Sequence, residues 1–292
     1  MNGVNERTNR IGWWFIGLSI VGFVVFMLYP ILNSVKLVFS SISGDSSKFV
    51  GFGNFVRIFH DNVFWSSLGN SFLFLIVEVP IMLIFAIILA VVLNSKKLRL
   101  RGFWRLLIFL PCVTSLVSYS VLFKMLFSSD GLINVFLMNT LHVISSPIPW
   151  LTDPAMAKVV IILALLWRWT GYNMIFFLAG LQNVSEEIYE AADIDGASKI
   201  QQFIHITLPA LRPIILFTAV QSTISTLQLF DEPMNITAGG PNNSSMTIAM
   251  YIYNVSFKFV PNFGYAASLS YVVMFIILIL SLIQMKVAKS DD

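Results

Sequence analysis

Charge is scarce in this chain. Only 11% of its 292 residues are Asp, Glu, Lys or Arg, against about 25% in soluble domains, which argues against a soluble globular fold. One cysteine, Cys112, excludes an intramolecular disulfide, and its place in an apolar run suits a small core hydrophobe. The three histidines, His60, His142 and His205, are isolated, and no Cys/His metal spacing, H-E-x-x-H or G-x-S-x-G occurs. The phosphate-binding pattern G-x-x-x-x-G-K-[ST] is missing too. A formal charge of +3 is too small to suggest a nucleic-acid partner. No low-complexity tract or strong internal repeat is visible. Nothing here implies covalent chemistry, a cofactor or a metal.

Apolar length is what the chain has instead. Hydrophobic residues make up 57% of it, with 26 Phe and 12 Met, and the mean hydropathy is +0.81. Crossing a bilayer as helix takes about 20 apolar residues. Six runs qualify, at about 12–39, 70–94, 103–127, 157–181, 209–230 and 264–286. The first opens on Gly12-Trp13-Trp14, an interfacial aromatic anchor. Arg7 and Arg10 precede it as in a signal peptide, but the run is too long and no small-residue cleavage site comes after it, so a retained span is expected.

Lys and Arg in short loops set orientation. Lys96, Lys97, Arg99, Arg101 and Arg105 crowd the second connection, and the third, from about Ser128 to Ala155, has none. The second therefore faces the cytoplasm and the third faces outward. With six spans both termini lie inside, in keeping with Arg7 and Arg10 at one end and Lys286 and Lys289 at the other. Outside, Asn54 to His60 is expected to form a short amphipathic interfacial helix, and Thr237-Ala238-Gly239-Gly240-Pro241-Asn242-Asn243 a turn-rich loop.

The fourth connection, 182–209, is long and helix-prone. Ser185 can cap a helix whose first turn holds Glu186 and Glu187, both favourable at the positive end of the dipole. The run continues through Ala191 and Ala192 and should break at Asp195-Gly196, where glycine tolerates φ > 0. Asp195 is then expected to cap a second helix, from Ala197 to about Thr207, before Pro209 opens the fifth span. The result is a helix–turn–helix whose small Ala191, Ala192 and Ala197 admit close approach by another surface. An amphipathic hairpin on lipid headgroups is the plainer reading, but its acidic first turn sits poorly on an anionic membrane.

The stretch Glu190 to Pro209, EAADIDGASKIQQFIHITLP, resembles the EAA loop of permease subunits in binding-protein-dependent ABC importers. Val50-Gly51-Phe52-Gly53-Asn54-Phe55, followed by Asp61, Phe64-Trp65 and Asn70, is similar to the first outer loop of the carbohydrate branch. So are Leu178-Ala179-Gly180-Leu181-Gln182, Thr237 to Pro241 and Tyr251-Ile252-Tyr253. Ser185 departs from a common proline. The resemblance spans nearly the whole chain, closest to lactose and other di- or oligosaccharide permeases. It implies an all-α membrane protein of six transmembrane helices, type I ABC importer permease-like, with a cytoplasmic helix–turn–helix coupling loop. It also implies alternating access with a second homologous permease subunit, cytoplasmic ATP-binding subunits and an extracytoplasmic solute-binding protein. Glu190, Ala191, Ala192, Asp195, Gly196 and Ala197 would meet the ATPase, with Glu190 and Gly196 foremost.

A sugar path needs hydrogen-bond partners and aromatic faces. Gln221, Ser225 and Gln228 share one helix face of the fifth span, with Ile224 as an apolar wall. Gly171 and Asn173 sit in the fourth span within Trp167-Arg168-Trp169-Thr170-Gly171-Tyr172-Asn173. By resemblance both segments match sugar-contacting stretches of the maltose-system permease. Interhelical hydrogen bonding remains an equal reading for the polar groups, and packing against a partner subunit for the tryptophans. Glu78 and Arg168 fall near mid-span, where charge is expensive, and are expected to pair or, less simply, to relay protons. Lys124 can snorkel to the outer surface, and Asp231-Glu232 ends the fifth span either toward a receptor or in water. A different class, an ion-coupled secondary transporter, needs midplane carboxylates, and only Glu78 qualifies. An intramembrane enzyme lacks a nucleophile and base at helical spacing.

Overall fold

The computed structural model describes residues 13, 16–43, 46–96 and 98–289. Arg7, Arg10, Gly12, Trp14 and Lys97 lie outside the described residues, as does the side chain of Lys289. The long elements are α1 (Ile16–Val38), a hairpin of β1 (Ser40–Ser43) and β2 (Ser46–Phe49), α2 (Gly53–Phe59), α3 (Asn62–Asn94), α4 (Arg101–Val113), α5 (Leu116–Leu126), α6 (Pro154–Leu181), α7 (Glu186–Ile194), α8 (Lys199–Leu227) and α9 (Phe263–Lys289). Among the described residues five helices, α1, α3, α6, α8 and α9, are long and apolar enough to cross a membrane, and the bent pair α4–α5 makes a sixth. The protein is an all-α, multi-pass membrane protein. Its chain forms two compact units, 1–61 with 252–272 and 62–251 with 273–292.

In the first unit, the end of α1 is closed by side chains instead of by water. Asn54 Nδ2 donates to the carbonyls of Val38 (2.8 Å) and Ser40 (3.0 Å), and Ser268 Oγ to Val38 (3.1 Å). The last carbonyls of any helix lack intrahelical donors, so these bonds let the chain turn sharply into the antiparallel hairpin, where Ser40 pairs with Phe49. Arg57 lies 4.0 Å over the Tyr265 ring, and the Tyr265 hydroxyl reaches Asp61 at 2.5 Å. The opposite face of α2 shows Phe52, Val56 and Phe59, all exposed, as an amphipathic helix requires.

In the second unit, α3 and α6 pack along their lengths, with α4 against α6 and α8 against both α3 and α6. One apolar cluster joins Phe74, Phe123, Ile161 and Leu229, and a second joins Ala86, Ala90, Phe177, Leu181 and Leu211. Small residues set the spacing, as they do between helices in lipid. A Cβ on Gly171 would stand 2.0 Å from the carbonyl oxygen of Ile108, and one on Gly180 2.1 Å from Ile214 Cδ1.

Three expectations from sequence need correction. The helix that carries the run expected from about residue 70 begins already at Asn62, so part of the first outer connection is helical. The third run is not one straight helix: α4 and α5 meet at 96°. Thr114 and Ser115 are extended there, where helical propensity falls across Thr114-Ser115. Arg168 and Glu78 form no ion pair with each other. Arg168 Nη1 donates to the carbonyls of Thr114 (2.8 Å) and Pro111 (3.3 Å), and Nη2 to Cys112 (3.2 Å), at the α4–α5 bend.

Candidate functional site

Two regions of the second unit carry chemistry. The first is the hairpin of α7 and the start of α8. Ser185 Oγ accepts the Glu187 N–H at 3.3 Å, with Glu186 and Glu187 in the first turn, as its sequence requires. α7 stops at Asp195, and Gly196 takes a φ of +78°, the left-handed conformation glycine adopts without a Cβ penalty. Asp195 closes α7 and does not cap the next helix. Ser198 takes that role in a reciprocal capping box: its Oγ accepts the Gln201 N–H (3.3 Å) while Gln201 Oε1 accepts the Ser198 N–H (2.7 Å). The S-x-x-Q spacing was present in the sequence and outcompetes an aspartate three residues earlier.

The hairpin is stapled. Asp193 receives Lys199 Nζ at 2.7 Å and the buried Gln202 Nε2 at 2.5 Å, and the Tyr189 and Thr207 hydroxyls meet at 2.9 Å. Pro209 opens no new helix. α8 runs unbroken from Lys199 to Leu227, with a wide π turn at Phe203–Thr207 just ahead of the proline. Glu190, Ala191, Asp195 and Gly196 are exposed, and Ala192 and Ala197 half-buried. Ile194 (86% exposed) and Ile200 (72%) also stand out at the tip, an apolar contribution that the small-residue pattern did not reveal. Lys96 reaches Glu186 at 2.6 Å, which puts the basic second connection and this hairpin at the same end of the unit.

The second region is a cavity of about 290 Å³. Gln221 and Ser225 of α8 and Gln228 at its end line it on one face, with Asn173, Trp169 and Tyr172 of α6 on another. Asn173 Nδ2 donates to the Trp169 carbonyl (3.1 Å) and approaches Met82 Sδ (3.2 Å). Trp169 and Tyr172 meet edge to face at 5.7 Å, which turns an aromatic surface to the space. Glu78, Asp231 and Glu232 supply carboxylates, and no Lys or Arg is among the lining residues. Glu78 faces Glu232 and Thr226 instead of Arg168. The Tyr119 hydroxyl donates to Glu232, which is buried and not spread into solvent.

Two residues of the expected path lie elsewhere. Gly171 is the contact with Ile108 that fixes α4 on α6, and Ile224, half-buried, is not among the cavity's lining. Trp167 packs on Tyr119 (6.1 Å) and Phe123 (5.6 Å) and is not among the lining residues, whereas Trp169 is. Sequence reasoning missed Tyr119 and Tyr172. The signal for Tyr119 was the Pro111-to-Ser115 interruption, which begins a new helix and so a new face. The arrangement offers hydrogen bonds and an aromatic surface, with no nucleophile–base pair.

Spanning helices around a polar, solute-sized cavity, with a stapled hairpin at one end, define a membrane permease. The chain belongs to the family of binding-protein-dependent transport system inner membrane components, whose pattern it matches over residues 50–288. It is 52% identical over 280 residues to the lactose transport system permease protein LacF of Rhizobium radiobacter, covering 95% of this chain and 94% of that one. It is 34% identical to the arabinooligosaccharides transport system permease protein AraP of Bacillus subtilis, over 94% and 88% of the two chains. Among solved structures, a chain of a bacterial alginate ABC transporter, in complex with an alginate pentasaccharide-bound periplasmic protein, superposes with a TM-score of 0.85 at 20% identity, covering 96% and 94%. That likeness shows the fold.

Proposed function

We propose that this chain is one permease subunit of an ABC importer that takes up a di- or oligosaccharide. The observation that carries the reading is the full-length, 52% likeness to a lactose permease. The cavity is in keeping with it: Gln221, Ser225, Gln228 and Asn173 suit sugar hydroxyls, and Trp169 suits the apolar face of a pyranose ring. The hairpin with Glu190, Ala191, Ala192, Asp195, Gly196 and Ala197 is the seat of a separate ATPase. A second permease completes the cavity, and a solute-binding protein delivers sugar from outside. ATP-driven closure of the ATPases draws the hairpins together, and the spans open outward. The basic residues Lys96, Arg99, Arg101 and Arg105 gather at the hairpin's end, which supports a cytoplasmic position for it and for both termini.

The test is uptake of radiolabelled lactose by cells carrying the whole transporter. Uptake that collapses on ATP depletion and survives an uncoupler is the expected result. Loss with the uncoupler alone overturns the reading in favour of ion coupling.

A further inference from the structure

Breaking a helix inside hydrocarbon exposes carbonyls that water cannot reach, each costing several kcal/mol. The α4–α5 bend is such a break, and three of its carbonyls, on Pro111, Cys112 and Thr114, accept from one side chain, Arg168. The guanidinium is a planar fork of donors, and here the fork spans the turn. Its carbon also stands 4.8 Å over the Tyr119 ring and 5.4 Å over that of Trp169. Arg168 is only 7% exposed. A buried arginine is expensive without partners and a broken helix is expensive without donors, so each makes the other tolerable.

The bend aims the start of α5 at the cavity. Tyr119 is in the first turn and a half of α5 and donates to Glu232, while Leu116, Trp169 and Glu232 line the cavity. Arg168 does not line it. We propose that Arg168 is a positioning residue for the solute path. It fixes the bend of the third span, and through Tyr119 and Trp169 it fixes one wall of the cavity, without touching solute. The proposal rests on reading that cavity as the sugar path.

The assembled complex, in nanodiscs and a C112A background, is labelled with nitroxides at Leu106 and Met125, both exposed on either side of the bend. Double electron–electron resonance should give one narrow distance with Arg168 and a broader, longer one with R168K or R168Q. Lysine keeps the charge but not the fork. Y119F removes the tie to Glu232 alone and should leave the distance unchanged. In proteoliposomes with receptor and ATP, R168K and Y119F should each raise the apparent KM for lactose roughly tenfold, the size expected from losing a hydrogen bond to a charged group, with a smaller change in maximal rate. Co-purified ATPase checks assembly. A wild-type distance in R168K and R168Q, or a wild-type KM once the bend is lost, overturns the proposal. If the wild type takes up no lactose, the sugar reading fails while the distance still decides whether Arg168 holds the bend.

Discussion

Gly171 and the carbonyl of Ile108 are in van der Waals contact across α6 and α4, with no room for a methyl group between them: a Cβ would lie 2.0 Å from that oxygen. Gly171→Ala should therefore push the two helices apart and destabilise the permease by about 1–3 kcal/mol, the usual range for overpacking. Gly102→Ala, where a Cβ meets nothing within 4 Å, is the control. Thermal melts of the purified complex distinguish them, and equal melting of the two variants would rule this contact out as a constraint.

Gly196→Glu should abolish co-purification of the ATPase. A Cβ at this position meets nothing within 4 Å, so the direct cost to folding is chiefly the left-handed backbone, about 1–2 kcal/mol. A normal melt with lost ATPase locates the fault at the docking surface. Full recovery of the complex would sink the docking assignment.

Asp193→Ala should impair coupling more than Lys96→Ala. Asp193 receives both Lys199 and the buried amide of Gln202; without it one Gln202 N–H loses its partner while the other keeps the Ala197 carbonyl at 3.2 Å, and an unsatisfied buried donor costs about 1–3 kcal/mol. The Lys96–Glu186 pair is exposed on both sides, at 73% and 64%, and such pairs contribute about 0–1 kcal/mol. Solute moved per ATP hydrolysed is the measurement. Equal ratios in the two variants would contradict the staple.

Gln221→Leu and Asn173→Leu should raise the KM for the carried sugar about tenfold each, the effect of roughly one lost hydrogen bond, with ATPase assembly unchanged. Wild-type uptake by both variants would remove this cavity from the solute path.

The spans and the hairpin were readable because each rests on one-dimensional signals. Twenty apolar residues need no tertiary context to be a span, and Ser185, Glu186 and Gly196 mark their helix end by local chemistry alone. The Pro111-to-Ser115 interruption marked a weak point in the third run, but the donor that satisfies the bend, Arg168, lies 54 positions along the chain and was not readable. For the same reason Arg168 looked like a partner for Glu78: counting depth along a helix finds two charges but not the carbonyls that one of them serves. The Gln221, Ser225 and Gln228 stripe was visible as a helical face, while Gly171 could not be assigned to packing until Ile108 was beside it.

The unbroken course of α8 has a consequence for how the transporter can be watched. From Lys199 to Gln221 the helix extends about 33 Å at 1.5 Å per residue, with one end in the stapled hairpin and the other in the cavity wall. Its departure from α geometry, at Phe203–Thr207, is a single turn. Tip and wall are thus two ends of one helix, its regularity interrupted between them only by that turn and by Pro209 and Pro213. A reporter placed at Ile200, far from any sugar, should register the arrival of solute as clearly as it registers nucleotide.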